Sequence, residues 1–113
     1  MKKQFPFRLG TTSYILRDYI LPNVRYLKDK VDMIELLVFE TDEQSNYPTK
    51  DEVKELLDIA SEHDLTYTVH LPIDIHLGIR DEAQRIKNRD AFIRAIDATR
   101  ALKPHAWDLH LEP

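Results

Sequence analysis

Thr66-Tyr-Thr-Val-His-Leu-Pro-Ile-Asp-Ile-His-Leu-Gly78 is the stretch on which the reading of this chain turns. It opens as a strand, because Thr66, Tyr67, Thr68 and Val69 are β-branched or aromatic. Pro72 cannot donate to a sheet ladder, so the strand must end near His70. Asp74 and His76 then fall in a loop that Gly78 closes. Patterns on either side of this stretch are helical. A histidine at the carboxyl end of such a strand sits where α/β proteins place their chemistry.

Working outward, the same alternation recurs. Upstream, Thr49–His63 is a helix with a capping box, Thr49 and Glu52 each satisfying a free amide. Val53, Leu56, Leu57 and Ala60 form its apolar face. Asp32–Phe39 is a strand apolar on both sides, the pattern of a parallel strand covered by helices. Glu35 interrupts it and is expected to pair with Arg8 or another inward polar group. Thr41–Pro48 is a polar loop rich in turn formers. Asp18–Lys30 is a helix with Ile20, Val24, Leu27 and Val31 as its buried stripe. Phe7–Ile15 is the first strand, and Gly10 within it predicts a close backbone approach.

Downstream, Asp81–Leu102 reads as a long helix with Ile86, Ile93 and Ile96 inward, Phe92 beside them, and a solvated basic side. Lys103-Pro-His105 ends it. Ala106–Leu111 is a fourth strand, with Trp107, Leu109 and Leu111 on one side and Asp108, His110 and Glu112 on the other. The order β-α-β-α-β-α-β predicts an α/β fold: a parallel sheet with right-handed crossovers.

An eight-stranded βα barrel needs about 250 residues. The 113 residues here supply one domain, 1–113, with about half of that pattern. The expectation is the N-terminal four-strand half of a barrel, truncated after strand four, or a free-standing sheet paired with a second copy. Open edges favour self-association, so at least a dimer, or a marginally stable fold missing its C-terminal half, is expected.

Composition narrows the function. The net charge is -4 with mixed signs, which argues against non-specific nucleic-acid binding, for which a basic face is needed, and leaves a local basic groove open. There are no cysteines, which excludes disulfides and thiolate metal sites. No signal peptide or apolar span is visible, so the expected compartment is the cytoplasm, with no membrane partner.

Parallel strands end at one rim, ~4.8 Å apart. Glu40, His70 and His110 therefore converge if strands two to four are adjacent, and Glu112 follows on the His110 side. Two imidazoles with one or two carboxylates suit Zn²⁺, Mn²⁺ or Fe²⁺. Asp74 and His76 would be outer partners of that site or its acid and base. His63 and His105, at helix C-termini, are structural. Tyr14 and Trp107 suit packing, and Tyr14 also counts with Asp74 and His76 as a substrate contact.

The strings Leu9-Gly-Thr-Thr-Ser-Tyr14, Ile34-Glu-Leu36 and Thr66-Tyr-Thr-Val-His-Leu-Pro72 resemble the opening of the xylose-isomerase-like TIM barrels. That superfamily holds sugar isomerases and epimerases and endonuclease IV-type apurinic endonucleases. Within it, Phe5-Pro-Phe-Arg-Leu-Gly-Thr-Thr-Ser-Tyr14, Leu21-Pro-Asn-Val-Arg25 and His63-Asp-Leu-Thr-Tyr-Thr-Val-His-Leu-Pro72 resemble the cobamide-remodelling phosphodiesterases. The resemblance covers essentially the whole chain. It implies that His70, with Leu77-Gly78 behind it, and His110 are metal ligands. It also implies a further glutamate on a fifth strand, beyond Pro113, so the full ligand set is not in this chain. The implied cofactor is a divalent metal, Zn²⁺ or Mn²⁺. The implied activity is hydrolysis of the nucleotide-loop phosphodiester of a cobamide, with Glu40 or Glu112 orienting water or completing the metal shell. The same scaffold carries sugar-phosphate isomerases and epimerases, and a half barrel can also be inactive.

Overall fold

The computed structural model describes residues 1–40 and 45–111. Four strands, β1 (Gly10–Thr12), β2 (Met33–Leu37), β3 (Thr66–His70) and β4 (Trp107–Asp108), lie side by side in chain order. All three pairings are parallel. Helices α1 (Ile20–Leu27), α2 (Lys50–His63) and α3 (Glu82–Thr99) alternate with them, and a 3₁₀ turn at Arg100–Leu102 extends α3.

The strand period of two decides which residues reach the core. Ile34, Leu36, Tyr67 and Val69 are buried on one face of the sheet. Against them pack Ile20, Val24 and Leu27 of α1, Val53, Leu56 and Ile59 of α2, and Phe92 and Ala95 of α3. The Tyr67 hydroxyl crosses this layer to donate to the Leu56 carbonyl at 2.8 Å. Met33, Glu35, Leu37, Thr66, Thr68 and His70 alternate onto the opposite, half-exposed face. The radius of gyration is 14.9 Å, above the about 13 Å of a compact domain this long. A sheet covered on one side accounts for the excess.

That one-sidedness corrects three expectations. β2 is covered by helices on a single face, so the apolar residues at Leu37 and Phe39 stay partly exposed. Glu35 lies on the open face, in register with Thr12 and Thr68. Arg8 does not pair with it; its guanidinium donates to the carbonyls of Asp32 and Asp64. On α3 the inward residues are Ala91, Phe92, Ala95 and Thr99. Ile86 and Ile93 are 42% and 48% exposed, because 3.6 residues per turn puts them on the opposite side of the helix from Ala95. Ile96 is partly buried and packs against the core as expected, and small residues at Ala91, Ala95 and Thr99 let the helix approach the sheet closely.

The elements are otherwise those expected, with shorter ends. The Thr49–Glu52 capping box is formed. β1 and β4 are trimmed because the ladder exists only where a neighbouring strand runs alongside. Still, Ser13 N–H donates to the Glu35 carbonyl and Leu71 N–H to the Asp108 carbonyl, continuing the pairing past each strand. Leu109 and Leu111 are exposed rather than packed.

Two local features hold the amino-terminal edge. A Cβ on Gly10 would lie 2.8 Å from the Met33 carbonyl oxygen, so β1 comes this close to β2 only as glycine. The buried Asp32 carboxylate accepts from the amides of Lys3 at 2.9 Å and Leu9 at 3.1 Å. The Leu9 amide bond, with further help from Lys3 and Arg8, holds its pKa below the usual carboxylate value.

Gly10→Ala should therefore cost about 1–3 kcal/mol of stability by overpacking, measured by urea denaturation. A depressed folded-state pKa gives stability present above the unfolded value of about 3.9 and lost as pH falls through the folded one. Thermal midpoints should fall below about pH 4, and Asp32→Asn should lower the neutral midpoint while flattening that acid limb. The flattening should be partial, because Asp64 is also lowered by its contact with Lys3.

Candidate metal centre at the strand rim

His70 is the last residue of β3, and Leu71 and Pro72 behind it are buried. This anchors the imidazole at the point where the sheet gives way to the loop. A carbonyl can only accept, so the 2.7 Å contact between His70 Nδ1 and the Leu71 oxygen places the proton on Nδ1. Nε2 is then left with its lone pair outward, the arrangement metal-ligating histidines adopt. His110 lies two residues beyond β4, the strand whose register sets Asp108 opposite His70. The two Nε2 atoms are 3.2 Å apart, with ring centroids at 4.9 Å and planes at 75°.

Two lone pairs cannot sit at that distance with nothing between them. Either His110 donates a proton or one cation serves both. Tetrahedral Zn²⁺ with Zn–N of 2.0–2.1 Å would hold two nitrogens about 3.3 Å apart, so the pair fits one ion. Among the described residues no third His, Cys, Asp or Glu joins them in a metal-holding group. Glu112 lies outside the described residues.

Glu40 follows β2 and is fixed elsewhere on the rim. Its Oε2 accepts from the Tyr47 hydroxyl at 2.8 Å. Its Oε1 accepts from Arg94 Nε at 3.1 Å and Nη2 at 2.8 Å. Burial, then the hydrogen bond to Glu40, pushes the Tyr47 phenol well above its usual range, so it remains a donor. Glu40 and Arg94 line a polar cleft of about 540 Å³ with Asp74, Gln84, Lys87 and Asn88. The loop after β3 is tied to α3, since Asn88 Nδ2 donates to the His76 carbonyl at 2.6 Å. Asp74 and Glu40 thus share one cleft, while His70 and His110 form a separate pair.

Tyr14 stands at the β1 end of the rim, half-exposed and edge-on to Phe39 at 6.3 Å. Trp107 is a packing residue, its indole N–H donating to Thr99 Oγ1 at 3.0 Å. Tyr47 and Arg94 were not legible as site residues. Arg94 belonged to a basic side of α3 read as solvated, and 54 residues separate it from Glu40. Only the fold shows that this one arginine points back to the rim.

Parallel strands in chain order, helices on one face and polar groups at the carboxyl rim define a barrel-type α/β protein. Residues 25–109 match the family described as xylose isomerase-like TIM barrel, and the chain belongs to that family. No curated protein matches the chain. Among the described residues no helix is long and apolar enough to cross a membrane.

Tyr47→Phe should cost about 1 kcal/mol, the net worth of one hydrogen bond. Glu40→Ala should cost more, because it leaves a partly buried phenol and the Arg94 guanidinium without their shared acceptor. Paired urea denaturation curves would check the order of the two.

Proposed function

We propose that the chain carries part of the metal centre of a phosphodiesterase. Its substrate is the nucleotide-loop phosphodiester of a cobamide, the substrate of a class that the opening strings resemble. The 3.2 Å approach of the His70 and His110 Nε2 atoms is the observation that carries this reading. When bound there, Zn²⁺ or Mn²⁺ supplies Lewis acidity to a phosphoryl oxygen and makes water nucleophilic near neutral pH.

The chain's own residues do the rest by position. The Leu71 carbonyl holds the His70 ring in the tautomer that presents Nε2 to the rim. Arg94, kept at the cleft by Glu40, offers its remaining N–H donors to an anionic substrate. In the hydrolysis water adds to phosphorus, one ester P–O bond breaks, and the proton ends on the departing alcohol. Glu40 already accepts from Tyr47 and Arg94, so its first task is to position that arginine.

Calorimetric titration should show one Zn²⁺ or Mn²⁺ per chain. His70→Ala and His110→Ala should each weaken it at least tenfold, the lower end of what altering the surroundings of a metal ligand costs. With metal present, mass spectrometry of an incubated cobamide should show the phosphodiester cleaved. Absence of metal binding overturns the centre. Metal-dependent epimerisation of a ketose phosphate without cobamide cleavage would move the assignment to an isomerase.

A further inference from the structure

Three exposed aromatic rings surround one depression at the β1–β2 side of the rim. Tyr14, Tyr19 and Phe39 are 50%, 60% and 37% exposed. With Arg17 and Asn46 they line a space of about 310 Å³. A single exposed apolar side chain is ordinary, but a cluster around a hollow at a functional rim is not. Tyr14 and Phe39 meet at 87°, which makes a right-angled corner with one ring as wall and the other as floor.

The corner is rigid although its rings are exposed. Asn23, fully buried in α1, holds the loop that carries Tyr14 and Tyr19. Its Oδ1 accepts from the amides of Ile15 and Leu16 at 2.9 and 2.7 Å. Its Nδ2 donates to the carbonyls of Leu16, Asp18 and Tyr19. On the other wall Asn46 Oδ1 accepts from the Phe39 amide at 2.8 Å, and Asn46 Nδ2 donates to the Leu37 carbonyl. Two buried or half-buried asparagines thus fix the loops bearing these rings, the preorganisation that favours binding a rigid partner.

The corner carries one cation, Arg17, and one anion, Asp18. Arg17 makes no hydrogen bond or ion pair among the described residues, whereas Asp18 Oδ1 is already accepting from the Tyr19 amide. Aromatic faces beside a guanidinium suit a planar heteroaromatic ring attached to an anionic group. β1 is two strands from β3, roughly 10 Å at about 4.8 Å per strand. That is the reach from a scissile phosphate to the base of a nucleotide.

We infer that the Tyr14–Phe39 corner is the base-binding subsite, taking the planar nitrogen heterocycle of the substrate by stacking while Arg17 meets the adjoining anion. This rests on the phosphodiesterase reading for what lies at the other end, but the subsite itself needs no metal.

Binding of three probes with EDTA present would test it: adenosine 5′-monophosphate, benzimidazole, and ribose 5-phosphate, which has the anion but no ring. The adenosine monophosphate and benzimidazole should bind, and ribose 5-phosphate should bind at least tenfold more weakly than the nucleotide. Tyr14→Ala and Phe39→Ala should each weaken both ring-bearing probes about tenfold, while Tyr14→Phe keeps their affinity. Arg17→Ala should weaken the nucleotide and leave benzimidazole unchanged. Far-UV circular dichroism of each variant controls for folding. Equal binding of nucleotide and ribose 5-phosphate, or full affinity in Tyr14→Ala, overturns the subsite. Tyr14→Ala should still bind Zn²⁺ and His70→Ala should still bind the ring, so the two sites fail separately.

Discussion

Everything at the rim depends on the parallel pairing of β2 with β3. Five residue pairs in unbroken register, from Met33 opposite Thr66 to Leu37 opposite His70, make it the most extensive pairing in the sheet. Because the strands run the same way, their carboxyl ends open on one side, and the groups that follow them share it. Glu40, His70 and, through β4, His110 owe their place on one rim to this single constraint. An antiparallel neighbour would have sent one of them to the opposite end of the sheet.

The second constraint is that only one sheet face is covered. The core of α1, α2 and α3 takes Ile34, Leu36, Tyr67 and Val69, while the alternate residues stay half exposed. This leaves the open face with a mixture of threonine, glutamate, methionine and histidine instead of a closed apolar layer. It also lets exposed rings persist at the loop ends without collapsing into the core. Stability and chemistry are divided between the two faces, as strand alternation requires.

Rigid loops then do what the sheet cannot. Asn23 takes five main-chain groups and Asn46 two, so the chain between strand and helix is fixed by one buried and one half-buried amide side chain. Glu40 performs a like task for Arg94 and Tyr47, joining the β2 loop to α3. The rim thereby carries three organised places: an aromatic corner, a polar cleft and a pair of imidazoles.

Much of this was legible beforehand. The run from Thr66 to Gly78, with Pro72 stopping the strand, placed His70 at the carboxyl end of β3. The Thr49–Glu52 box placed α2, and Gly10 announced its close approach to Met33. These are local matters, decided by dihedral preference, hydrogen-bonding side chains and the period of apolar residues. Ile86 and Ile93 of α3 were misplaced because isoleucine signals burial by type, whereas beside Phe92 and Ile96 the sheet selected Ala95 and Thr99 for their small size. Arg94 meeting Glu40, and Tyr14 meeting Phe39, lay beyond any pattern in the chain. The amino-acid sequence alone determined the order of strands and helices and put His70 at a strand end. Only the tertiary structure decided that His110 reaches it, since partners 40 residues apart meet through sheet register, which no local propensity encodes.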